Sequence, residues 1–108
     1  MIVKKIEEFI RCLDEERFYD AHEALEEIWF PRRFEEDNEV KLLKGFINAS
    51  VSLELIKKGR IPQSKKVWMN YLKYRQLLYK TDSPHLNKYY QLSRYIENIY
   101  LQKSLITH

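Results

Sequence analysis

The segment FYDAHEALEEIW, residues 18–29, holds the side chains most able to do chemistry. His22 and Glu26 are four residues apart, so on a helix they lie one turn apart on one face, where the carboxylate can reach the imidazole directly. With about 100° between successive residues, His22 falls inside the edge of the apolar stripe and Glu26 borders it. We therefore expect a half-buried His–Glu pair, whose polar atoms need partners.

Two interpretations of this pair stay open. In the structural one, His22 and Glu26 orient their helix against a neighbouring helix, because buried polar groups are normally paired without being catalytic. In the chemical one they belong to a metal-assisted hydrolase, since imidazole and carboxylate suit several divalent ions. Two ligands do not close a metal site. The best third ligand is Glu54, on the otherwise inward-facing line of Leu43, Ile47 and Ser50, although an ion pair with Arg75 or Arg94 would also explain it.

The leading hypothesis is a polar groove that recognises a small molecule or a protein partner. Its candidate residues combine aromatic, imidazole, amide and carboxylate groups: Tyr19, His22, Glu23, Glu26, Trp29 and Asn48. Gly45 lies inside the predicted third helix. Glycine there costs about 1 kcal/mol relative to alanine, so its presence suggests that another helix packs closely against this point and closes the groove. In one interpretation the second helix approaches there, at Ala21 or Ala24, and Asn48 hydrogen-bonds His22 or Glu26. In the other, Gly45 is only a packing notch and Asn48 is solvated.

Catalytic residues and a cofactor are not predicted, and whether the protein is an enzyme stays open. The sequence has no Gly-x-Ser-x-Gly elbow of a serine hydrolase and no glycine-rich phosphate loop. Cys12 is the single cysteine, which suggests a reducing compartment. The first residues lack a continuous apolar run, and nowhere is such a run long enough to span a bilayer, so we expect a cytoplasmic protein without a membrane partner.

Helical periodicity runs almost end to end and predicts an all-α fold, a single compact bundle of about five helices. Two glycines and three prolines leave little for the turns of an all-β chain. The predicted helices cover residues 2–13, 18–29, 39–58, 62–80 and 85–103, with a loop at 31–38. The third is apolar over most of its circumference, as a central helix is. The 108 residues form one domain, with basic, tyrosine-rich C-terminal helices over about 62–103.

Charge is divided unevenly along the chain. Residues 1–54 carry 8 Lys and Arg against 14 Asp and Glu, a balance of −6, whereas residues 55–108 carry 11 against 2, a balance of +9. The halves could neutralise each other within one molecule, or between molecules in a head-to-tail homo-oligomer. Alternatively the basic half binds nucleic acid, with phosphates on its cations and bases on its tyrosines. The residues proposed for this are Lys57, Lys58, Arg60, Lys65, Lys66, Lys73 and Lys80, with Tyr71, Tyr74 and Tyr79.

FYDAHEALEEIW, followed by LLKGFINASVSLELIKKG at residues 42–59, resembles the family called domain of unknown function 309. The resemblance covers about residues 16–66 and implies a small all-helical bundle with no assigned biochemical function. The positions on the family motif are Phe18, Tyr19, Ala21, His22, Glu23, Leu25, Glu26 and Trp29, with Gly45 and Ala49 in the second part.

This chain departs from the family pattern at several positions. Asp20 stands where Glu is usual, and Lys44 and Asn48 stand where Gln is usual. Members often carry a histidine near the end of the second part, where this chain has Glu54 and Leu55. If that histidine serves a metal or a proton relay, this chain lacks it or uses Glu54 instead.

Overall fold

The computed structural model describes residues 2–106, which form five α-helices and no strand. The helices are α1 Ile2–Asp14, α2 Phe18–Trp29, α3 Asn38–Lys57, α4 Ile61–Arg75 and α5 Leu86–Ile106. Short 3-10 helices follow α2 at Phe30–Arg32 and α4 at Gln76–Tyr79. The predicted all-helical fold is confirmed. Among the described residues, none of the helices has both the length and the apolar character needed to cross a bilayer.

Helix α3 is the centre of the structure, as its sequence predicted. It packs against α2 on one side and α4 on the other, and it also contacts α5. Its buried side chains are distributed around the helix rather than along one stripe: Val40, Leu42, Leu43, Phe46, Ile47, Ala49, Leu53 and Ile56 among them. A helix covered on several sides needs apolar residues in several directions.

Local chemistry determines both ends of α3. Asp37 precedes the helix, and its carboxylate accepts a hydrogen bond of 2.7 Å from the backbone N–H of Glu39, which satisfies a donor that the first turn leaves unpaired. Gly59 follows the last turn with φ +76°, a conformation that glycine adopts without strain. The backbone N–H of Arg60 then donates to the carbonyl of Leu55 at 2.8 Å. The third helix, predicted to end at residue 58, ends at Lys57.

Helices α3 and α4 approach closely at two levels. Near their connection, Ser52 and Ser64 are buried and their hydroxyl oxygens lie 2.8 Å apart. Further along, Gly45 faces α4, where a Cβ atom built on the glycine would stand 2.7 Å from Cβ of Tyr74. The expectation that Gly45 admits α2 at Ala21 or Ala24 is therefore wrong.

Two predicted boundaries also need correction. The segment 31–38 is not simply a loop, because Pro31 belongs to the Phe30–Arg32 3-10 helix and Asn38 already begins α3. The predicted helix over 62–80 divides at Arg75 into α4 and the second 3-10 helix. Proline has no backbone N–H and a fixed φ, so it fits the first turn of a helix, and both Pro31 and Pro62 occupy such positions.

The C-terminal helix α5 is part of the same hydrophobic core. Tyr89, Leu92 and Ile96 are each almost fully buried. Further along, the ring of Tyr100 stacks on that of Trp68 in α4, with centroids 3.8 Å apart and planes within 2° of parallel. The basic C-terminal helices therefore contribute large aromatic side chains to the core.

Candidate functional site

Helix α2 presents His22 at the edge of its buried face. Phe18, Ala21 and Leu25 are fully buried along that face, whereas the His22 side chain keeps 21 % of its surface exposed. Its Nε2 lies 2.5 Å from Oε2 of Glu26. The half-buried pairing predicted from the four-residue spacing is confirmed.

Two further side chains of α2 surround the imidazole. Oε1 of Glu23 lies 3.6 Å from Nδ1 of His22, so each ring nitrogen faces a carboxylate. Tyr19 is 61 % exposed and meets the imidazole edge to face, with ring centroids 5.8 Å apart. Four of the six predicted groove residues therefore lie together, with Tyr19, Glu23 and Glu26 around His22.

A cavity of about 220 Å³ opens between α2 and α3 beside His22. It is lined by Phe18, Tyr19, His22, Val51, Glu54, Leu55 and Lys58. The α3 contribution follows from helical geometry, because Val51, Leu55 and Lys58 are spaced i, i+4 and i+7 and so share one face. This spacing is visible in the sequence and could have identified Val51 and Leu55, which we did not predict as site residues.

The cavity combines apolar walls with four ionisable side chains, those of Tyr19, His22, Glu54 and Lys58. Glu54, with 22 % of its side chain exposed, lies 3.7 Å from Nζ of Lys58, its neighbour one turn along α3. The suggested ion pair of Glu54 with Arg75 or Arg94 is wrong. Together with His22, the Glu54–Lys58 pair offers a negative and a positive group, and hydrogen-bond donors and acceptors, beside an apolar surface.

The trio predicted as metal ligands does not form a metal centre. Across residues 2–106, no group of three or more His, Cys, Asp or Glu side chains is placed so that it could hold a metal ion. Glu26 contacts His22 on the helix surface, whereas Glu54 lies in the cavity lining.

Two predicted groove residues lie elsewhere. The Asn48 amide donates to the carbonyl of Lys44 one turn earlier, at 2.9 Å, and the expected hydrogen bond from Asn48 to His22 or Glu26 is wrong. Trp29 lines a separate cavity of about 350 Å³, beside Arg33 and Lys44 among others. There Nζ of Lys44 lies 4.4 Å from the centroid of a Trp29 ring.

The outward face of α4 is strongly basic. Residues 55–81 contain no Asp or Glu, and α4 exposes Lys65, Lys66, Met69 and Lys73 to solvent, a set that we call the α4 basic face. Six cations of this stretch lie outside salt-bridge distance of every described carboxylate: Lys57, Arg60, Lys65, Lys66, Lys73 and Lys80. Of these, Lys57 donates to the backbone carbonyl of Glu16 at 2.9 Å. Within the described part of the chain, direct ion pairs between the acidic and basic halves are Lys58–Glu54 and Lys103–Glu16.

The predicted base-stacking tyrosines differ in exposure. Tyr71 is completely buried, so its assignment as a stacking residue is wrong, whereas Tyr79 is 80 % exposed. Tyr74 is half-buried, with Nζ of the neighbouring Lys73 5.7 Å from its ring centroid. One of the three tyrosines is thus fully available at the surface.

Comparison with known proteins completes the picture of this site. No curated protein and no solved structure matches the chain. A family model does match, over residues 6–67, a range that includes all of α2 and α3 and therefore every residue that lines the cavity beside His22. The chain belongs to the family Domain of unknown function (DUF309).

Proposed function

We propose that the chain is a binding module that holds a small organic ligand in the cavity between α2 and α3. The observation that carries the proposal is the cavity itself, about 220 Å³ in volume and adjoining the half-buried His22. Sites for small molecules combine mostly apolar walls with a few polar groups that fix the ligand's orientation. Phe18 and Leu55 provide such walls here, and His22, Glu54 and Lys58 provide the polar groups.

The size and polarity of the cavity narrow the ligand class. Its volume is below the range of about 300–1,000 Å³ typical of drug-sized ligands, which favours a molecule with one ring or a short aliphatic chain. Nε2 of His22 is occupied by Glu26, whereas Nδ1 is 3.6 Å from the nearest Glu23 oxygen, longer than a hydrogen bond. Nδ1 is therefore the imidazole atom best placed to exchange a hydrogen bond with a ligand.

Amide-detected NMR titration of the full chain with phenol, benzoate and benzylamine tests this proposal. The three probes share one ring and differ in charge, so the strongest response reports the polarity that the cavity prefers. We expect saturable shifts at His22 and Leu55 for at least one probe. The proposal is overturned if all three leave these signals unchanged at millimolar concentration, or if shifts occur only at distant residues.

A matched pair of variants locates the binding. Val51→Phe places a ring in the cavity and should abolish the shifts, because Val51 lines it. Val3→Phe enlarges another half-buried valine, in α1 and outside this cavity, and should leave the titration unchanged. A Val51→Phe variant that titrates like the parent would place the probe elsewhere and contradict the proposal.

Nucleic-acid binding through the α4 basic face is a second candidate function. It is favoured by the absence of any described carboxylate within salt-bridge distance of Lys65, Lys66 and Lys73. Unpaired cations on one helix face can neutralise backbone phosphates without reading the base sequence. The interaction would therefore be strongly dependent on salt.

Gel-shift titrations with generic RNA and DNA at several salt concentrations test this second function. Substitution of a lysine that contacts a phosphate should lower the slope of log affinity against log salt by about one. We expect this for Lys66→Gln and Lys73→Gln, and no change for Lys4→Gln, an exposed lysine of α1. Absence of a shift at low salt would exclude the function.

A further inference from the structure

A second, larger groove lies between the C-terminal end of α4, together with the 3-10 helix that follows it, and α5. Its volume is about 540 Å³, within the range of about 300–1,000 Å³ typical of small-molecule sites. Its lining contains two arginines, two tyrosines and two side-chain amides: Arg75, Arg94, Tyr79, Tyr90, Asn87 and Gln91. The groove is separate from the cavity beside His22 and lies outside the residues that the family model matches.

One wall is a regular row of polar side chains on α5. Asn87, Gln91 and Arg94 are spaced i, i+4 and i+7, so they lie along one helix face, and all three are exposed. Within the described chain no carboxylate lies within salt-bridge distance of Arg94. This guanidinium therefore has all its donors available to an anion.

The opposite part of the groove holds a charge pair that is already satisfied. Nη1 of Arg75 donates to Glu97 at 3.0 Å, and the other oxygen of that carboxylate accepts hydrogen bonds from Tyr71 and Ser93 at 2.7 and 2.8 Å. Glu97 thus neutralises Arg75. Because the groove has two arginines and one carboxylate, it retains one net positive charge, on Arg94.

Tyr79 supplies a flat apolar surface at the same groove. Its ring is 80 % exposed and is held by an edge-on contact with Tyr90, with centroids 6.2 Å apart at 64°. An exposed aromatic face next to cations is the arrangement on which nucleic-acid bases stack. The side-chain amides of Asn87 and Gln91 can both donate and accept, as the edge of a base requires.

We propose that this groove binds one nucleotide unit, with the phosphate on Arg94, the base stacked on Tyr79, and the base edge at Asn87 and Gln91. The unit is either a free nucleotide or one residue of a single strand, since both present the same chemistry. The proposal is independent of ligand binding beside His22. It also differs from nucleic-acid binding by the α4 basic face, which does not need Arg94.

Titration of the full chain with AMP, adenosine, inorganic phosphate and a short oligo(dA) tests the proposal by NMR and calorimetry. We expect AMP or oligo(dA) to shift the signals of Tyr79, Gln91 and Arg94. Adenosine and phosphate alone should bind about tenfold more weakly than AMP, because each loses one of the two anchors. Binding of AMP with little binding of oligo(dA) identifies a free nucleotide, whereas binding of oligo(dA) alone identifies a strand.

Matched variants separate this site from the alternatives. Arg94→Gln should weaken binding about tenfold, as expected for the loss of a charge-assisted hydrogen bond, and Arg11→Gln, at an exposed arginine of α1 outside the groove, should not. Tyr79→Ala should weaken binding similarly, and Tyr79→Phe should preserve it. The proposal is overturned if neither AMP nor oligo(dA) binds, or if Arg94→Gln and Tyr79→Ala bind as tightly as the wild type. Oligo(dA) binding lost in Lys66→Gln but kept in Arg94→Gln would support the α4 basic face and reject the groove.

Discussion

Gly45 of α3 lies directly against Tyr74 of α4. A Cβ atom built on the glycine would stand 2.7 Å from Cβ of Tyr74 and 3.8 Å from the backbone carbonyl oxygen of Tyr71. The first distance is shorter than two non-bonded carbon atoms tolerate, since their optimal separation is about 3.5–4.0 Å. The spacing of α3 and α4 therefore depends on the missing side chain at position 45.

Gly45→Ala should destabilise the protein. Alanine would improve helix propensity by up to about 1 kcal/mol, but overpacking a closed interface typically costs about 1–3 kcal/mol. The contacted atom is the Cβ of Tyr74, which is fixed to the backbone and cannot swing away. We expect the free energy of unfolding in urea to fall by roughly 1 kcal/mol, and an unchanged or higher value would show that α3 and α4 separate easily.

Gly59→Ala is an informative comparison for this measurement. No atom lies within 4 Å of a Cβ built at Gly59, but its φ is +76°. Alanine there should cost about 1–2 kcal/mol through backbone strain alone. Because Gly59 is exposed at the end of α3, this variant should keep the core packing of the wild type, including its near-ultraviolet circular dichroism.

The helices were predictable from the sequence, but their contacts were only partly so. Apolar periodicity located α1, α2 and α3 to within about one residue. Periodicity shows which face of a helix is buried without showing which neighbour covers it. For that reason the sequence indicates a close approach at Gly45 but does not show that Tyr74 of α4 makes it.

In the candidate site, too, relations within one helix were predictable, whereas contacts between helices were not. His22 and Glu26 were predictable because a four-residue spacing fixes their relation within one helix. Trp29 is predicted in the same groove, yet it is seven residues from His22, a rise of about 10 Å along the axis, and it lines another cavity. Asn48 bonds within its own helix. The groove at Arg94 and Tyr79 needs the relative placement of two helices, which no local pattern contains.

Tyr71→Phe should weaken the contact between α4 and α5. The Tyr71 hydroxyl is buried, donates to Glu97 at 2.7 Å and lies 2.8 Å from Oγ of Ser93. Removing one member of a buried hydrogen-bonded set costs about 1–3 kcal/mol. Chemical unfolding should show this loss, whereas Tyr79→Phe, whose ring is 80 % exposed, should be neutral. Equal stability of the two variants would contradict the role of this network.

The Glu97 carboxyl should make stability depend on pH in the acidic range. Burial opposes its ionisation, but hydrogen bonds from Tyr71, Ser93 and Arg75 outweigh burial and hold the pKa of Glu97 below its ordinary 4.5. The folded protein then binds fewer protons than the unfolded chain, so stability rises with pH. This contribution is complete above about pH 4.5 and is lost as the pH falls through the lower, folded pKa.

Glu97→Gln tests this dependence. The stability difference between wild type and Glu97→Gln should be largest near neutral pH and should shrink as the pH is lowered below 4.5. Glu7→Gln, at an exposed carboxylate of α1, should follow the wild type throughout. A difference that stays constant or grows on acidification would reverse the predicted sign.

The His22–Glu26 pair should contribute little to stability. It joins side chains one turn apart on a helix, with 21 % and 37 % of their surfaces exposed, and such pairs are typically worth about 0.3–0.5 kcal/mol. A double-mutant cycle of His22→Ala and Glu26→Ala should give a coupling energy of roughly this size. A coupling above about 2 kcal/mol would instead indicate a structural ion pair, and would remove the argument that His22 is available for ligand binding.

Docking of α5 should depend on the stacked rings of Tyr100 and Trp68. Their centroids are 3.8 Å apart and their planes nearly parallel, and Trp68 is 8 % exposed. Tyr100→Ala removes one ring and uncovers the other, so we expect a loss of about 2–4 kcal/mol and a red shift of the Trp68 fluorescence. Tyr100→Phe keeps the ring and should retain both properties. Because α5 lies beyond residues 6–67 of the family match, a large loss would show that the core of this protein requires a helix outside its family-defining segment.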